Sequence, residues 1–547
     1  MSIRITRRRF LMASGGTAGL GLLAACAPAA APSPTAAPKP AETKPPAQVP
    51  QVPQIQATAA PAATTAPAAP TKAPDAITKS AEPKRGGTFT LGVTAGVQEF
   101  NPMALVVGHA PFIRSVYQTP LRYDEKLNPV PELAEKWEFS ADGRTLTLKL
   151  REGVKFHTGR EFTADDVEAS LRFGQTNEKA IMKSAYSTVK SVEKNGKYVI
   201  ALKFDAVNPG VFDMLDSLYI IDKETIESRA NTGIGTGPFK IDKYIPNDRT
   251  EMVPFKDYWE KGKPYLDKYI FRQIPDAAAL TINLESGAVD CTYNGSYTDA
   301  ARLRDTGGGK WVIDSGAPGA SIFDVGINVK AEPFTDKRVR QAIAWSIDRA
   351  RFCKSSLQGL SEPTCLIWPK HSWGYQADLQ GTYGYDLEKA RALLKEAGLE
   401  KGFTTELKTS TKTTQGYTDL AVILQADLKK LNIDAKILDL EPAQYESQIQ
   451  SGQLVMMTHA YGRAGRDPGT TLTGAKAWYL EKEGGWNHYE GAEYERLRKE
   501  MQSTLDRPTR AKLARQIQQL MLDEAFTNPV ASDTLVWPTS LVSNGPP

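Results

Sequence analysis

The sequence predicts an α/β protein built of several lobes, and three observations predict it. Short apolar runs alternate with period two, as half-buried strands do. Elsewhere apolar residues recur every three or four positions behind a capping residue, as amphipathic helices do. The two kinds of segment mix along most of the 547 residues, a length above what one hydrophobic core usually serves.

Thr88-Phe89-Thr90-Leu91-Gly92-Val93 alternates and suits a first strand. Trp137-Glu138-Phe139 and Thr145 to Leu150 flank Asp142-Gly143, a dipeptide that favours a tight hairpin turn. A second hairpin centres on Asn195-Gly196, and residues 198–204 alternate behind it. Thr163 followed by Asp166 has the form of a capping box ahead of Val167 and Leu171. Asp336 caps a helix on which Val339, Ile343 and Ile347 recur every four residues. Asp386 caps another with Ala390, Leu393, Leu394 and Ala397 on its buried face and Gly398 at its end. A helix over 421–431 and an apolar strand over 433–440 follow.

The N-terminal end reads as an address. Arg7-Arg8-Arg9-Phe10-Leu11 precedes a short apolar stretch that ends at Ala25, too short and too rich in Gly, Ala and Ser for a membrane span of about 20 residues. Paired arginines ahead of Phe-Leu resemble a twin-arginine export signal over 1–25. Leu23-Ala24-Ala25-Cys26 resembles a bacterial lipobox, which makes Cys26 the expected lipid anchor to a membrane. Residues 26–84 are nearly all Ala, Pro, Thr, Gln and Lys and cannot bury a core. Such a tether reaches between about 40 Å as a coil and about 170 Å as extended polyproline.

Sixty-seven Lys and Arg stand against 63 Asp and Glu, and no basic run interrupts the globular part, which argues against nucleic acid as a partner. After Cys26 only Cys291, Cys353 and Cys365 remain; a Cys353–Cys365 disulfide or small buried hydrophobes both fit an exported chain. No G-x-S-x-G elbow, H-E-x-x-H pair or phosphate-binding loop appears, and the five His and three late Cys lack metal-ligand spacing. The expectation is a protein without catalytic residues, cofactor or metal.

The order of segments resembles the extracellular solute-binding proteins of family 5, which serve ABC importers of oligopeptides, dipeptides and nickel. The most specific piece runs from Leu146 through Arg151-Glu152-Gly153-Val154-Lys155-Phe156-His157-Thr158-Gly159 to Phe162-Thr163-Ala164-Asp165-Asp166-Val167. Gly235-Thr236-Gly237-Pro238-Phe239, Tyr258-Trp259, Gly262-Lys263-Pro264-Tyr265-Leu266-Asp267 and Leu284-Glu285-Ser286-Gly287 follow in the family's order. Pro333-Phe334-Thr335-Asp336 through Ile343 and Ile347-Asp348-Arg349 complete it. Most of these residues read as scaffold: Gly235, Gly237 and Pro238 as a turn that needs special backbone angles, and His157 as a structural histidine.

The resemblance implies a periplasmic-binding-protein-like type II fold, two hinged lobes plus an extra subdomain. Residues 85–121, 236–320 and 516–547 are expected in lobe I, 122–235 in the extra subdomain and 321–515 in lobe II. It also implies a monomer that closes on a small-molecule solute and delivers it to the permease subunits of an ABC transporter. In peptide-binding members an Asp in a Trp-x-Ala-Asp-Tyr-x-x-Pro segment holds the peptide ammonium. Here Ala464 occupies that position, in Tyr461-Gly462-Arg463-Ala464-Gly465-Arg466-Asp467-Pro468. Arg463 and Arg466 suit an anionic or hydroxyl-rich solute, or pair with acids across the lobe interface, Asp467 among them. Tyr461, Trp486, Trp368 and Trp373 are aromatic candidates for the pocket, Asp467 is itself a candidate ligand-binding residue, and Glu99, Phe100 and His109 are early-loop candidates. A binding protein used for sensing or chaperoning, or an exported hydrolase, are the alternatives.

Overall fold

The structure, a computed structural model, describes residues 84–104, 109–293, 295–314, 321–462, 466–474, 476–533 and 536–540. The export signal, Cys26 and the tether lie outside the described residues. Among the described residues the strands form a seven-stranded, a five-stranded, a four-stranded and a two-stranded sheet.

Lobe I carries the seven-stranded sheet. Its first strand, Thr88–Val93, lies between two parallel neighbours, Lys268–Gln273 and Cys291–Thr292. Arg249–Pro254 and Phe239–Ile245 extend one side as an antiparallel meander, while Trp537–Ser540 and Trp311–Asp314 close the other. Leu91, Val93, Phe112, Val116 and Phe271 form its core. Lobe II carries the five-stranded sheet in the order Asp434–Asp439, Thr404–Thr409, Met456–Gly462, Ser321–Ile327, Thr527–Asp533. Buried helices surround it, among them Lys337–Ser346 and Leu387–Glu396, capped by Asp336 and Asp386 as the sequence predicts. The helix Gln415–Lys429 begins six residues earlier than its apolar pattern suggests, and its first turns bury Tyr417 and Leu420.

The subdomain shows most directly how sequence becomes structure. Thr145–Leu150 and Val199–Phe204 pair antiparallel at the centre of the four-stranded sheet, and Leu146, Leu148, Leu150, Ile200 and Leu202 are all fully buried. Their period-two pattern therefore covers one face with core and leaves the other wet. Gly143 (φ +68°) and Gly196 (φ +73°) supply the left-handed turn positions of the two hairpins. Thr163 and Asp166 form the capping box, with the Thr163 amide donating to Asp166 at 2.9 Å.

Among the described strands the chain passes from one lobe's sheet to the other twice: from Trp311–Asp314 to Ser321–Ile327, and from Thr527–Asp533 back to Trp537–Ser540. Of the segment 516–547 expected in lobe I, residues 516–533 instead belong to lobe II. Thr527–Asp533 pairs with Ser321–Ile327 in lobe II, and the helix before it, Arg507–Glu524, carries Leu513, Ala514, Ile517 and Met521 into the lobe II core. Only Trp537–Ser540 returns to lobe I. Cys291, Cys353 and Cys365 are buried free thiols, so no Cys353–Cys365 bond is present.

Gly235 and Gly237 are needed for a reason other than the expected backbone angle, since neither has positive φ. A Cβ on Gly235 would lie 2.1 Å from the Val116 carbonyl oxygen, and one on Gly237 would lie 2.5 Å from that of Ser115. The turn is thus pressed against the helix Ala110–Val116, and His157 pins it from the other side. The His157 amide donates to the Gly235 oxygen at 2.9 Å, its Nε2 bonds the Gly237 oxygen at 3.0 Å, and Nδ1 accepts from the Gly235 amide at 3.4 Å. That pattern needs the neutral ring, and burial pushes its pKa down to about 4. Gly235→Ala is expected to cost about 1–3 kcal/mol by overpacking, read as a lowered thermal midpoint. Gly381→Ala, where a Cβ meets nothing within 4 Å, should leave it in place.

Candidate ligand cleft and its charged junction

Ligands of open α/β sheets collect outside the carboxyl ends of the parallel strands. In lobe I those ends are Val93, Gln273 and Thr292; in lobe II they are Thr409, Asp439 and Gly462. The loop that leaves Gly462 contains the segment singled out in the sequence, and Arg463, Ala464 and Gly465 lie outside the described residues.

Arg466 reaches out of lobe II to Asp216, which sits on the subdomain helix Val211–Ser217. Arg114, on the lobe I helix Ala110–Val116, holds the same carboxylate with one nitrogen 3.1 Å from each oxygen. The Tyr123 amide adds a bond to it at 3.3 Å. One nearly buried carboxylate, its side chain 5% exposed, is therefore shared by guanidinium groups from both lobes. Burial works to lower the Arg466 pKa, but Asp216 and Asp213 outweigh it and the net shift is upward.

Asp467 turns the other way. Arg510 of lobe II grips both of its oxygens, one at 2.9 Å, and the Gly469 amide donates to it at 2.9 Å. Its own amide crosses to the subdomain and donates to Asp213 at 3.3 Å. Burial first and the Asp467 charge second push the Asp213 carboxyl up to about 6, with Arg466 opposing. Three cations, Arg114, Arg466 and Arg510, thus face three acids, Asp213, Asp216 and Asp467.

Cavities flank this junction. One of about 410 Å³ is lined by Tyr123, Trp137, Phe212, Trp373, Asp467 and Arg510, with the Arg510 guanidinium 5.0 Å from the Trp373 ring centre. A second, of about 560 Å³, lies on the lobe I side among Arg114, Arg122, Glu132, Tyr258, Trp259 and Lys263. Both fall in the size range of small-molecule sites.

The remaining sequence candidates divide. Trp368 is buried in the lobe II core with its indole nitrogen unpartnered among the described residues, and Phe100 packs against Phe112 and Tyr244 in the lobe I core. Tyr461 is buried with its ring 4.1 Å from Trp478, and Trp486 packs edge-on to His459 at 4.8 Å. The indole nitrogen of Trp486 and Nδ1 of His459 are buried without a hydrogen-bond partner among the described residues. Glu99 pairs with Lys179 of the subdomain at 3.0 Å. His109 stands just before the helix Ala110–Val116, its Nε2 buried without a partner among the described residues, and burial lowers its pKa. Asp213, Asp216, Arg114 and Arg510 were not singled out by the sequence reading. The only local signal is two acids, three residues apart, inside the apolar run from Val211 to Ile221.

Two sheet-bearing lobes linked by paired crossings, one of them carrying an extra subdomain, make a periplasmic-binding-protein-like type II fold. The chain belongs to the bacterial extracellular solute-binding proteins, family 5, whose middle-segment model matches residues 128–479. It is 29% identical over 444 residues to the dipeptide-binding protein of Escherichia coli, covering 75% of this chain and 82% of that one. It is 31% identical over 386 residues to the oligopeptide-binding protein AppA of Bacillus subtilis, covering 65% and 70%. Among solved structures, NikA from Brucella suis in complex with Fe(III)-EDTA superposes with a TM-score of 0.73 at 21% identity, over 83% of this chain and 95% of that one.

The raised Asp213 pKa fixes a sign. The folded state holds this proton more tightly than the unfolded chain, whose value is about 3.8. The stabilising contribution is present below about pH 4 and is lost as pH rises through about 6. Asp213→Asn keeps an oxygen for the Asp467 amide and should therefore stabilise the protein at pH 7, by on the order of 2–3 kcal/mol, with the gain gone near pH 4. Urea melts of both proteins across that range check it. Asp467→Asn, by contrast, removes the charge opposite buried Arg510 and is expected to cost about 3 kcal/mol or more at pH 7.

Proposed function

We propose that this chain is the lipid-anchored binding protein of an ABC importer, which encloses one small solute between its lobes and hands it unchanged to a membrane permease. The observation that carries this reading is the pair of lobes joined by two chain crossings and held face to face by polar contacts, an arrangement suited to opening and closing. Membership of a family of solute-binding proteins supports it. The relatives named for dipeptides and oligopeptides make a peptide one candidate solute. A fold neighbour that holds Fe(III)-EDTA makes a small anionic, non-peptide solute the other.

Two features favour the anionic or hydroxyl-rich solute. Ala464 stands where the resemblance places the ammonium-binding carboxylate, and Arg463 stands beside it. Arg466 is already engaged by Asp216 and contributes to closure, which leaves Arg463 as the guanidinium for the solute. Cys26 anchors the chain, and residues 26–84 let the binding body range near its permease. Among the described residues no helix is long and apolar enough to cross a membrane.

A thermal-shift screen of di- and tripeptides, sugar acids and other hydroxylated anions tests this reading. A solute at one hundred times its dissociation constant should stabilise the protein by about 2.7 kcal/mol, and mass spectrometry should recover it chemically intact. Arg463→Ala should weaken binding of the hit at least about tenfold; an unchanged affinity would remove Arg463 from the site, and a chemically altered product would sink the binding-protein reading. Cys26→Ser should move the protein from the membrane fraction to the soluble fraction, and retention in the membrane would exclude the anchor.

A further inference from the structure

Asp216 is the one described carboxylate on which Arg114 of lobe I and Arg466 of lobe II converge, and it belongs to the subdomain. We propose that Asp216 is the positioning residue of closure: it sets how much of the protein stands with its lobes together, and hence how tightly a solute is held, without touching the solute. This rests on the solute-binding reading above, and it adds the residue that governs the equilibrium.

The argument lies in which partners each group keeps when the lobes part. If lobe II swings away, Arg466 leaves, but Asp216 retains both bonds from Arg114 and the amide of Tyr123. The carboxylate is not stranded. Asp467 likewise keeps Arg510 and the Gly469 amide inside lobe II, so opening costs it only the bond from its own amide to Asp213. Arg507 releases Asn128 of the subdomain, a 2.6 Å bond, and is already exposed to water. Asp216, Asp467 and Arg507 are not left buried and unpaired by opening, the outcome that makes most buried charge networks costly to break, and Asp213, which gives up the Asp467 amide, keeps the Tyr123 hydroxyl within the subdomain. The interface is therefore built to separate.

What is gained on closing is concentrated at Asp216. The Arg466 side chain is 31% exposed against 5% for Asp216, so a partly wet guanidinium docks on a carboxylate held in place beforehand. A preorganised acceptor removes one ordering cost from the closed state.

The test is made on the full chain without solute, carrying Cys26→Ser and spin labels at Glu193→Cys in the subdomain and Glu406→Cys in lobe II. Both are surface positions, and the three native thiols of the folded body are buried. Distance distributions are recorded by pulsed electron resonance. The wild-type background is expected to show a short-distance population. Asp216→Asn and Arg466→Gln should each deplete it about tenfold, within the usual range of coupling between sites. The double variant should deplete it no further, because the two act through one contact, and Arg466→Lys should restore part of it. Far-ultraviolet circular dichroism confirms that each variant is folded; Arg466→Gln, on a loop, serves if Asp216→Asn is not. A wild type without the short population, single variants that leave it unchanged, or losses that add in the double variant each overturn the proposal. Because no solute is present, those outcomes leave the solute-binding reading standing. A screen without any hit would sink that reading and leave these distances as they are.

Discussion

A chain that builds one sheet, leaves it to build a second and then returns must cross the space between them twice. That constraint shapes this molecule. It puts Ser321–Ile327 and Thr527–Asp533 side by side in lobe II while the strands next to them in sequence, Trp311–Asp314 and Trp537–Ser540, lie side by side in lobe I. Paired crossings are an arrangement suited to hinge motion.

The cores are separate enough for such motion. Subdomain, lobe I and lobe II each bury their own apolar side chains, from Leu148 and Phe162 in the first to Phe112 and Phe271 in the second and Phe352 and Leu424 in the third. The bonds described between lobe II and the subdomain are polar. Apolar interfaces resist separation in proportion to the area they hide from water, whereas a polar pair can exchange its partner for water at small net cost.

Local chemistry made much of the fold legible in the sequence. Asp142-Gly143 and Asn195-Gly196 marked hairpins because a turn is settled by the residues within it, and Thr163, Asp336 and Asp386 marked helix starts because a cap bonds its own next turn. What depends on distant neighbours did not show. Gly235 looked like a turn with unusual angles, but the requirement is the Val116 oxygen against which it is pressed. Trp368 and Phe100 looked like pocket aromatics because they lie in loops, and contacts made far away in sequence enclose them in cores. Asp216 and Arg466 stand 250 positions apart, and no periodicity links them. Arg466 was noticed for its loop; its partner could be found only once the helix Val211–Ser217 had been placed beside it.

The order in which the sheet of lobe I is laid down has a bearing on biogenesis. Trp537–Ser540 lies between Cys291–Thr292 and Trp311–Asp314, so that sheet has a gap until residues 537–540 have been made. A ribosome-bound chain can finish the subdomain hairpins early but must leave those two strand edges bare, and bare edges invite pairing with other chains. The sheet of lobe I can therefore close only after residues 537–540 have left the ribosome.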